Sequence, residues 1–387
     1  MDSIRLTACR LITAALALMA SLGALNAQAQ KFSVTTLQNL PDSVAVQGVA
    51  INNSGQVAGN SITADGTSLA VLWNGTTPTV LGGSDTGFTY SAFVTGMNNL
   101  GDVVGFDTAF KTLIDLWGGN IPDQCGNTWY DTKGTAINDV GQIAGILFAL
   151  GVPYPPLGIS WSNFCITNDW GYLGDPLSYG DYPTSINNAG VAVGYAYVDA
   201  EQSTQHAAQL SPNVRDMGTL GGKNSGANQV NNRGYVVGWA DIPNNRSHAA
   251  LWGPHTVASD LGTLGGKTSY ASGINTQGDA VGSAQTLSNA WHAVLWTHLH
   301  YLPEDLNHEI GALTKQITLT GAAGTNDHCQ VLANGYDNKT KVPHIYVLSL
   351  LNPHECAVVT ANEAVTEREA TGADGTAPPE SSASKSQ

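Results

Sequence analysis

The chain has 387 residues, a formal net charge of −15, only 12% charged residues and 44 Gly. So acidic a surface excludes nucleic acid and anionic membrane as partners. Abundant Gly with sparse charge suits many short strands joined by tight turns, and nothing in the composition calls for a cofactor.

Residues 1–29 read as a signal peptide. Arg5 and Arg10 make a positive start, residues 11–25 are apolar and uncharged, and Ala27-Gln28-Ala29 is a small-residue cleavage site. Leu6-Thr7-Ala8-Cys9 resembles a lipid-attachment sequence but precedes the apolar stretch instead of following it, so lipidation is rejected. No later segment offers the ~20 apolar residues of a membrane span, so no membrane insertion is expected. The reading is an exported chain, extracellular or periplasmic, that begins at Gln30. Loss of Asp2, Arg5 and Arg10 takes its formal charge from −15 to −16.

From Gln47 onward the chain repeats. A turn motif of apolar run, Asn-x-x-Gly and second apolar run recurs at Asn52, Asn98, Asn138, Asn187, Asn231 and Asn275, with a weaker copy at Asn326. The spacings are 46, 40, 49, 44, 44 and 51. Asn tolerates the left-handed region, Gly supplies positive φ, and β-branched residues favour strands, so each copy predicts a hairpin. A third strand keeps pace: LAVLW, LIDLW, LGISW, HAAQL, HAALW, HAVLW and HIYVL. A fourth is seen in segments such as VASDLGTL, closed by Gly265 and Gly266. A period in this range marks a repeat architecture.

The recurring I-N-x-x-G, HA-x-LW and DLGTLGG segments resemble the HAF family of extracellular repeats, over about residues 47–351. No unit carries Phe after His-Ala, and the first three lack the His. The resemblance implies export and a repeat fold, and no particular reaction.

Residues 32–37 read like a fourth strand, while the last unit stops at its third, HIYVLSL. The N-terminal strand can therefore complete the last blade. The expectation is an all-β, seven-bladed propeller of four-stranded antiparallel blades over residues 30–356, closed by that strand and read as a monomer. Closure would hide strand edges that otherwise template aggregation. Residues 357–387 lack aromatics and are rich in Ala, Thr, Ser, Glu and Pro, which reads as a disordered acidic tail.

Candidate chemistry is thin. The turn Asn residues could form a ligand ring, but the simpler reading is that each caps its own turn. His206, His248, His292 and His344 recur one per unit, which spreads them around the axis and argues against a shared metal. His298 and His300, near Glu304, Asp305, His308 and Glu309, fall short of a zinc set, so no metal is assigned. Gly-Gly-Lys267-Thr268 lacks the first Gly of a phosphate loop, which would stand at Leu261. The Trp of each LW pair reads as core or blade-interface packing.

Function is then expected in loops grafted on the regular scaffold. The irregular units carry Trp129, Tyr130, Asp169, Trp170, Tyr172, Tyr179, Asp181 and Tyr182. Flat rings flanked by carboxylate acceptors suit a glycan or a partner peptide, so these residues form the expected ligand rim. The competing reading has the rings packing blade edges and the Asp residues capping turns. The main functional expectation is a non-catalytic binding scaffold. The alternative is a propeller glycosidase or lyase acting on extracellular polysaccharide, which would need two opposed carboxylates. Export permits disulfides, and four cysteines remain after the leader. The last hairpin and a short turn would bring Cys356 to Cys329, leaving Cys125 and Cys165 to pair by elimination.

Overall fold

The computed structural model describes residues 30–85, 88–108, 115–117, 130–149, 157–162, 165–169, 180–199, 201–254, 257–354 and 356. The chain divides into two units, Met1–Leu351 and Asn352–Gln387. In the second, Cys356 donates its backbone N–H to the Pro353 carbonyl at 3.2 Å. Cys329 and Cys356 are both disulfide-bonded. Cys125 and the Cys165 side chain lie outside the described residues, as do the signal segment and the tail. Among the described residues no helix is long and apolar enough to cross a membrane.

Among the described residues the first unit is a β-propeller with six four-stranded blades. Blade A is Ser43–Ile51, Val57–Thr63, Ser68–Asn74 and Thr77–Gly82; blade B is Tyr130–Ile137, Ile143–Ala149, Leu157–Ser162 and Cys165–Asp169. Blade C is Asp181–Ile186, Ala192–Tyr197, Gln205–Gln209 and Arg215–Gly218; blade D is Ser225–Val230, Val236–Asp241, Ser247–Trp252 and Ser259–Asp260. Blade E is Gly265–Ile274, Ala280–Thr286, Trp291–Trp296 and Pro303–Asp305, followed by a short helix at Leu306–Glu309. Blade F is Ile317–Thr325, Val331–Asp337 and Pro343–Leu350, completed by Phe32–Thr36, with Phe32 opposite Leu350 and Thr36 opposite Tyr346.

The expectation of seven four-stranded blades is therefore corrected. Between blades A and B in the chain, Ala92–Met97, Val103–Asp107 and Asp115–Trp117 form a sheet of only three strands among the described residues. This unit has the shortest period, 40 residues from Asn98 to Asn138, and its third strand pairs over just three positions. Residues 118–129, where the pattern places a fourth strand, lie outside the described residues.

The inner strands share one irregularity. Each ladder shifts register across the residue three places before the turn Asn: Val49, Thr95, Thr135, Thr184, Asn228, Ser272 and Ala323. Such a bulge bends the strand and leaves the extra residue free of its own ladder. Three of these side chains bridge to the next sheet: Thr95 Oγ1 donates to the Gly134 carbonyl at 2.8 Å, Thr184 Oγ1 to Ala227 at 2.9 Å, and Asn228 Nδ2 to Ala271 at 2.7 Å. The bulge also explains the Gly ending each Val-Val-Gly run. A Cβ at Gly238 would overlap the Gly226 carbonyl oxygen, and one at Gly282 the Tyr270 carbonyl oxygen.

The core is a series of layers between adjacent sheets. One layer joins Val281 and Leu295 of blade E to Leu319, Leu348 and Phe32 of blade F; another joins Trp73 and Val57 of blade A to Leu332 and Ile345 of blade F. Trp73, Trp252 and Trp296 of the LW pairs are fully buried. Trp73 Nε1 donates to the Gln38 carbonyl at 2.8 Å and Trp296 Nε1 to Leu261 at 2.7 Å, so two of these indoles tie neighbouring sheets.

The HA and DLG motifs form a second tie. His206, His248 and His292 place Nδ1 at 2.8, 2.9 and 2.7 Å from the carboxylates of Asp216, Asp260 and Asp305 on the fourth strand of the same blade. The Ser that follows GGKx bridges blades: Ser225 Oγ donates to the Gly218 carbonyl at 2.7 Å and accepts the Ala207 N–H at 2.8 Å. Ser269 repeats this with Gly262 and Ala249, at 2.6 and 2.8 Å. The GGK segments are thus turns that set up an inter-blade bond.

Candidate functional site

At one end of the propeller axis the turn asparagines meet. Within each turn the side-chain oxygen accepts from its own backbone; Asn231 Oδ1 takes the N–H of Arg233 and of Tyr235, both at 3.0 Å. Gly234, at φ 81°, closes the turn in the left-handed region. The side-chain amide is left over, and it reaches the next turn. Asn52 donates to the Asn98 carbonyl, Asn98 to Asn138, Asn138 to Asn187, and Asn187 to Asn231, at 3.5, 3.1, 2.8 and 3.0 Å. Asn231 donates to Asn275, Asn275 to Asn326, and Asn326 back to Asn52, at 2.9, 3.4 and 2.9 Å. The ring is closed, and all seven side chains are buried. The turn-capping reading holds and is incomplete: each Asn caps its own turn and also latches the next.

The following residue of each turn lines a second ring around a cavity of about 130 Å³. Its oxygens are already engaged. Asn99 Oδ1 accepts from Asn53 N at 2.9 Å, Asp139 Oδ1 from Asn99 N at 2.7 Å, and Asn188 Oδ1 from Asp139 N at 2.9 Å. Asp139 Oδ2 takes both the Asn99 and the Asn188 amide at 3.0 Å. Asp327 Oδ1 accepts from Thr276 N at 2.8 Å and its Oδ2 from the Asn53 amide at 2.9 Å. Burial works against the charge of Asp139, yet bonds from Asn188 and Asn99 hold its carboxyl below the usual range. Such a group stays ionised and cannot serve as a general acid. A second cavity of about 190 Å³ shares Ile51, Met97, Ile137 and Ile186 with the first, so the axial space continues along the inner strands past the ring. This end of the axis is a latch.

The other end of the inner strands differs. Counting back five residues from a turn Asn, and forward eight, gives a pair of cross-strand partners. These are Phe93 with Phe106, Tyr182 with Tyr195, Gly226 with Trp239, and Tyr270 with Ser283. Five residues of strand place them about 15 Å from the Asn ring. The rings there are half-buried. Phe93 and Phe106 stack at 5.0 Å, with Lys133 Nζ 4.5 Å from the Phe106 ring centre. Tyr182 stacks on Tyr195 at 4.7 Å, and both meet Tyr197 edge-on at 6.2 and 6.5 Å. Tyr270 of blade E meets Trp239 of blade D edge-on at 6.4 Å and stacks with Trp291 at 5.7 Å. Trp291 is 37% exposed. At Gly226 a Cβ would lie 2.9 Å from Trp239 Nε1, so the bare glycine lets the indole lie against the strand. Burial and the neighbouring phenols push Tyr195 up to about 12, and burial raises Tyr182. Both stay neutral hydroxyls, able to donate and accept.

No family model and no curated protein matches the chain. Among solved structures it is similar to the extracellular domain of a protein described as a one-component system from B. thetaiotaomicron. That match has 10% identity and a TM-score of 0.42, and covers 82% of this chain and 40% of the other. It is also similar to a Trypanosoma rangeli sialidase solved with the inhibitor DANA, at 8% identity and a TM-score of 0.42, over 90% of this chain and 64% of that one. The chain thus spans 40% and 64% of the lengths of these two proteins.

Of the rim expected from sequence, Trp129, Trp170, Tyr172 and Tyr179 lie outside the described residues. Tyr130 opens the first strand of blade B and Asp169 ends its last, with side chains outside the description. Asp181 is buried at 3% exposure. Tyr182 is half-buried and joins the aromatic cluster of blade C. The sequence reading missed Phe93, Phe106, Tyr195, Trp239, Tyr270 and Trp291. The signal was present for the first five, at fixed offsets from each turn Asn.

The histidines do not converge. His298 Nδ1 lies 2.6 Å from Asp279 Oδ1, while His300 Nδ1 accepts from Leu302 N at 3.3 Å. His308 Nε2 stands 3.9 Å from Asp305. Among the described residues no three His, Cys, Asp or Glu side chains group as metal ligands. Glu309 is held above the usual carboxylate range, by burial first and then by Glu304 and Asp305, with Lys31 opposing. It lies on the short helix after blade E and is not among the residues lining the axial cavity.

Proposed function

We propose that this protein is a non-catalytic binding scaffold whose ligand lies across the aromatic rings of the sheet ends remote from the Asn ring. The observation that carries this is the contact of Tyr270 with both Trp239 and Trp291, which makes one aromatic platform from two blades. The inner strands are fixed by bulges and latches, so the rings are held in place before a ligand arrives, which lowers the entropic cost of binding. The disulfide-bonded Cys329 and Cys356 support export, since disulfides persist in oxidising compartments. The repeated HA-x-LW and DLG segments support membership of the HAF-like repeats.

The test is a glycan array and a peptide array probed with the wild type and with Tyr270→Ala and Trp291→Ala. Binding should fall in both variants while circular dichroism and melting temperature stay near wild type. Unchanged array profiles in both variants overturn the assignment.

A further inference from the structure

We infer that the aromatic platform takes an uncharged, extended oligosaccharide that spans blades C, D and E. This rests on the scaffold reading above and names its ligand. Two ring clusters stand at equivalent positions of neighbouring blades: Tyr182, Tyr195 and Tyr197 on blade C, and Trp239, Tyr270 and Trp291 on blades D and E. Between them, at Gly226 of blade D, the group lying over the inner strand is the Trp239 indole itself, 2.9 Å from where a Cβ would stand, so the position is covered by a ring of the platform and by no side chain of its own. A single sugar ring covers one cluster, and a chain covers both.

Charge argues for a neutral ligand. Among the described residues cations lie over rings at Lys31 on Phe32, Lys133 on Phe106, Arg233 on Tyr235 and Lys341 on Tyr336; none of these rings belongs to the two clusters, although Lys133 stands at the equivalent strand position of blade B. The chain as a whole carries a formal charge of −15, which repels a polyanion. What the clusters offer is ring faces and phenol hydroxyls, the groups that stack on and hydrogen-bond to sugars.

Isothermal titration of the whole protein would use neutral gluco-, manno- and xylo-oligosaccharides from mono- to hexasaccharide, and oligogalacturonates of the same lengths, at low and high salt. The neutral hexasaccharide of at least one series should bind more than about tenfold tighter than its monosaccharide. Its affinity should change less than about twofold with salt. Tyr182→Ala and Trp291→Ala should each flatten the length dependence while leaving the melting temperature near wild type. Preference for oligogalacturonate with strong salt dependence overturns the inference, as does monosaccharide affinity equal to hexasaccharide affinity, or no binding across the neutral series. Peptide binding lost in Tyr270→Ala, with no sugar bound, overturns the ligand class and leaves the scaffold standing. Sugar binding unaffected by all three variants overturns both.

Discussion

The side-chain amide of Asn326 donates to the backbone carbonyl of Asn52 at 2.9 Å, joining residues 274 apart in sequence. It completes a ring in which every turn holds the next, so the last repeat is tied to the first by the same bond that ties all the others. A local turn device has become a long-range lock.

Asn231→Ala should therefore cost more than an ordinary turn substitution. It removes the acceptor of the part-buried N–H groups of Arg233 and Tyr235 and the amide that reaches the buried Asn275 carbonyl, which keeps its bond from Gly278 N. Each lost bond leaves a polar group less satisfied, and about 2–3 kcal/mol in total is expected. Urea denaturation measures it. A loss below about 0.5 kcal/mol, the size of a neutral surface change, would show that the ring is incidental.

The N-terminal strand should matter as much. Phe32 is 1% exposed and packs among Leu319, Leu348 and Leu306, and its strand covers the edge of Pro343–Leu350. Phe32→Ala should cost about 3–5 kcal/mol. Deleting residues 30–37 uncovers that edge and should convert the protein from monodisperse to aggregating in light scattering. A truncated protein that melts and scatters like the full chain would contradict the role given to this strand.

These features were legible because each is a local pattern locked to the repeat. The turn Asn, the third-strand Trp and the strand-like residues 32–37 can all be read without tertiary information. Outer strands cannot. Blade D closes with only Ser259–Asp260, and the sheet of Ala92–Met97 has no described fourth strand, so no local signal separates three strands from four. Of the rings at the far sheet ends the sequence reading names only Tyr182, and the bulge hides the others. The extra residue at Thr184, Asn228 or Ser272 reverses the alternation of the inner strand, so simple parity counted from the Asn puts Tyr270 on the wrong face. The irregular spacings, where Trp129 and Trp170 stand, are the more visible feature of the sequence.

The His206–Asp216 tie gives a pH dependence of stability. The bond to Asp216 raises His206 from 6.5 despite burial. Burial opposes the charge of Asp216, but its bonds to His206 and Gly218 bring it below 3.8. The histidine's contribution is full below pH 6.5 and is lost as pH rises through its raised value. The carboxylate's contribution is full above pH 3.8 and is lost as pH falls through its lowered value. The stability difference between wild type and His206→Gln should thus be largest at mildly acidic pH and shrink above neutrality. Asp216 is 44% exposed, so solvent screening should keep the effect below about 1 kcal/mol. Denaturation midpoints of the two proteins across pH 5 to 9, about one unit apart, would show it; a difference that grows with pH contradicts the pairing.

The two glycines of NNRGYVVG should answer differently to substitution, because they are glycines for different reasons. Gly234 sits at φ 81° with only the Pro254 ring near a would-be Cβ, at 3.5 Å. Its constraint is backbone conformation, and the last turn shows that a side chain can meet it: Cys329 holds the equivalent place at φ 55°. Gly234→Asn, a residue that tolerates this region, should cost less than about 1 kcal/mol. Gly238 has no positive φ; its constraint is space. The bulge at Asn228 presses the Gly226 carbonyl onto the site a Cβ would take, and the flanking Ala227 backbone lies at 2.9 Å. Backbone of the paired strand cannot yield as a flexible side chain can. Gly238→Ala should therefore cost about 3 kcal/mol or more, although alanine is the smallest possible addition. It should also disturb Trp239, the next residue, and so shift the tryptophan emission. Paired denaturation curves decide the matter: Gly238→Ala no worse than Gly234→Asn would show that the bulge does not set this position.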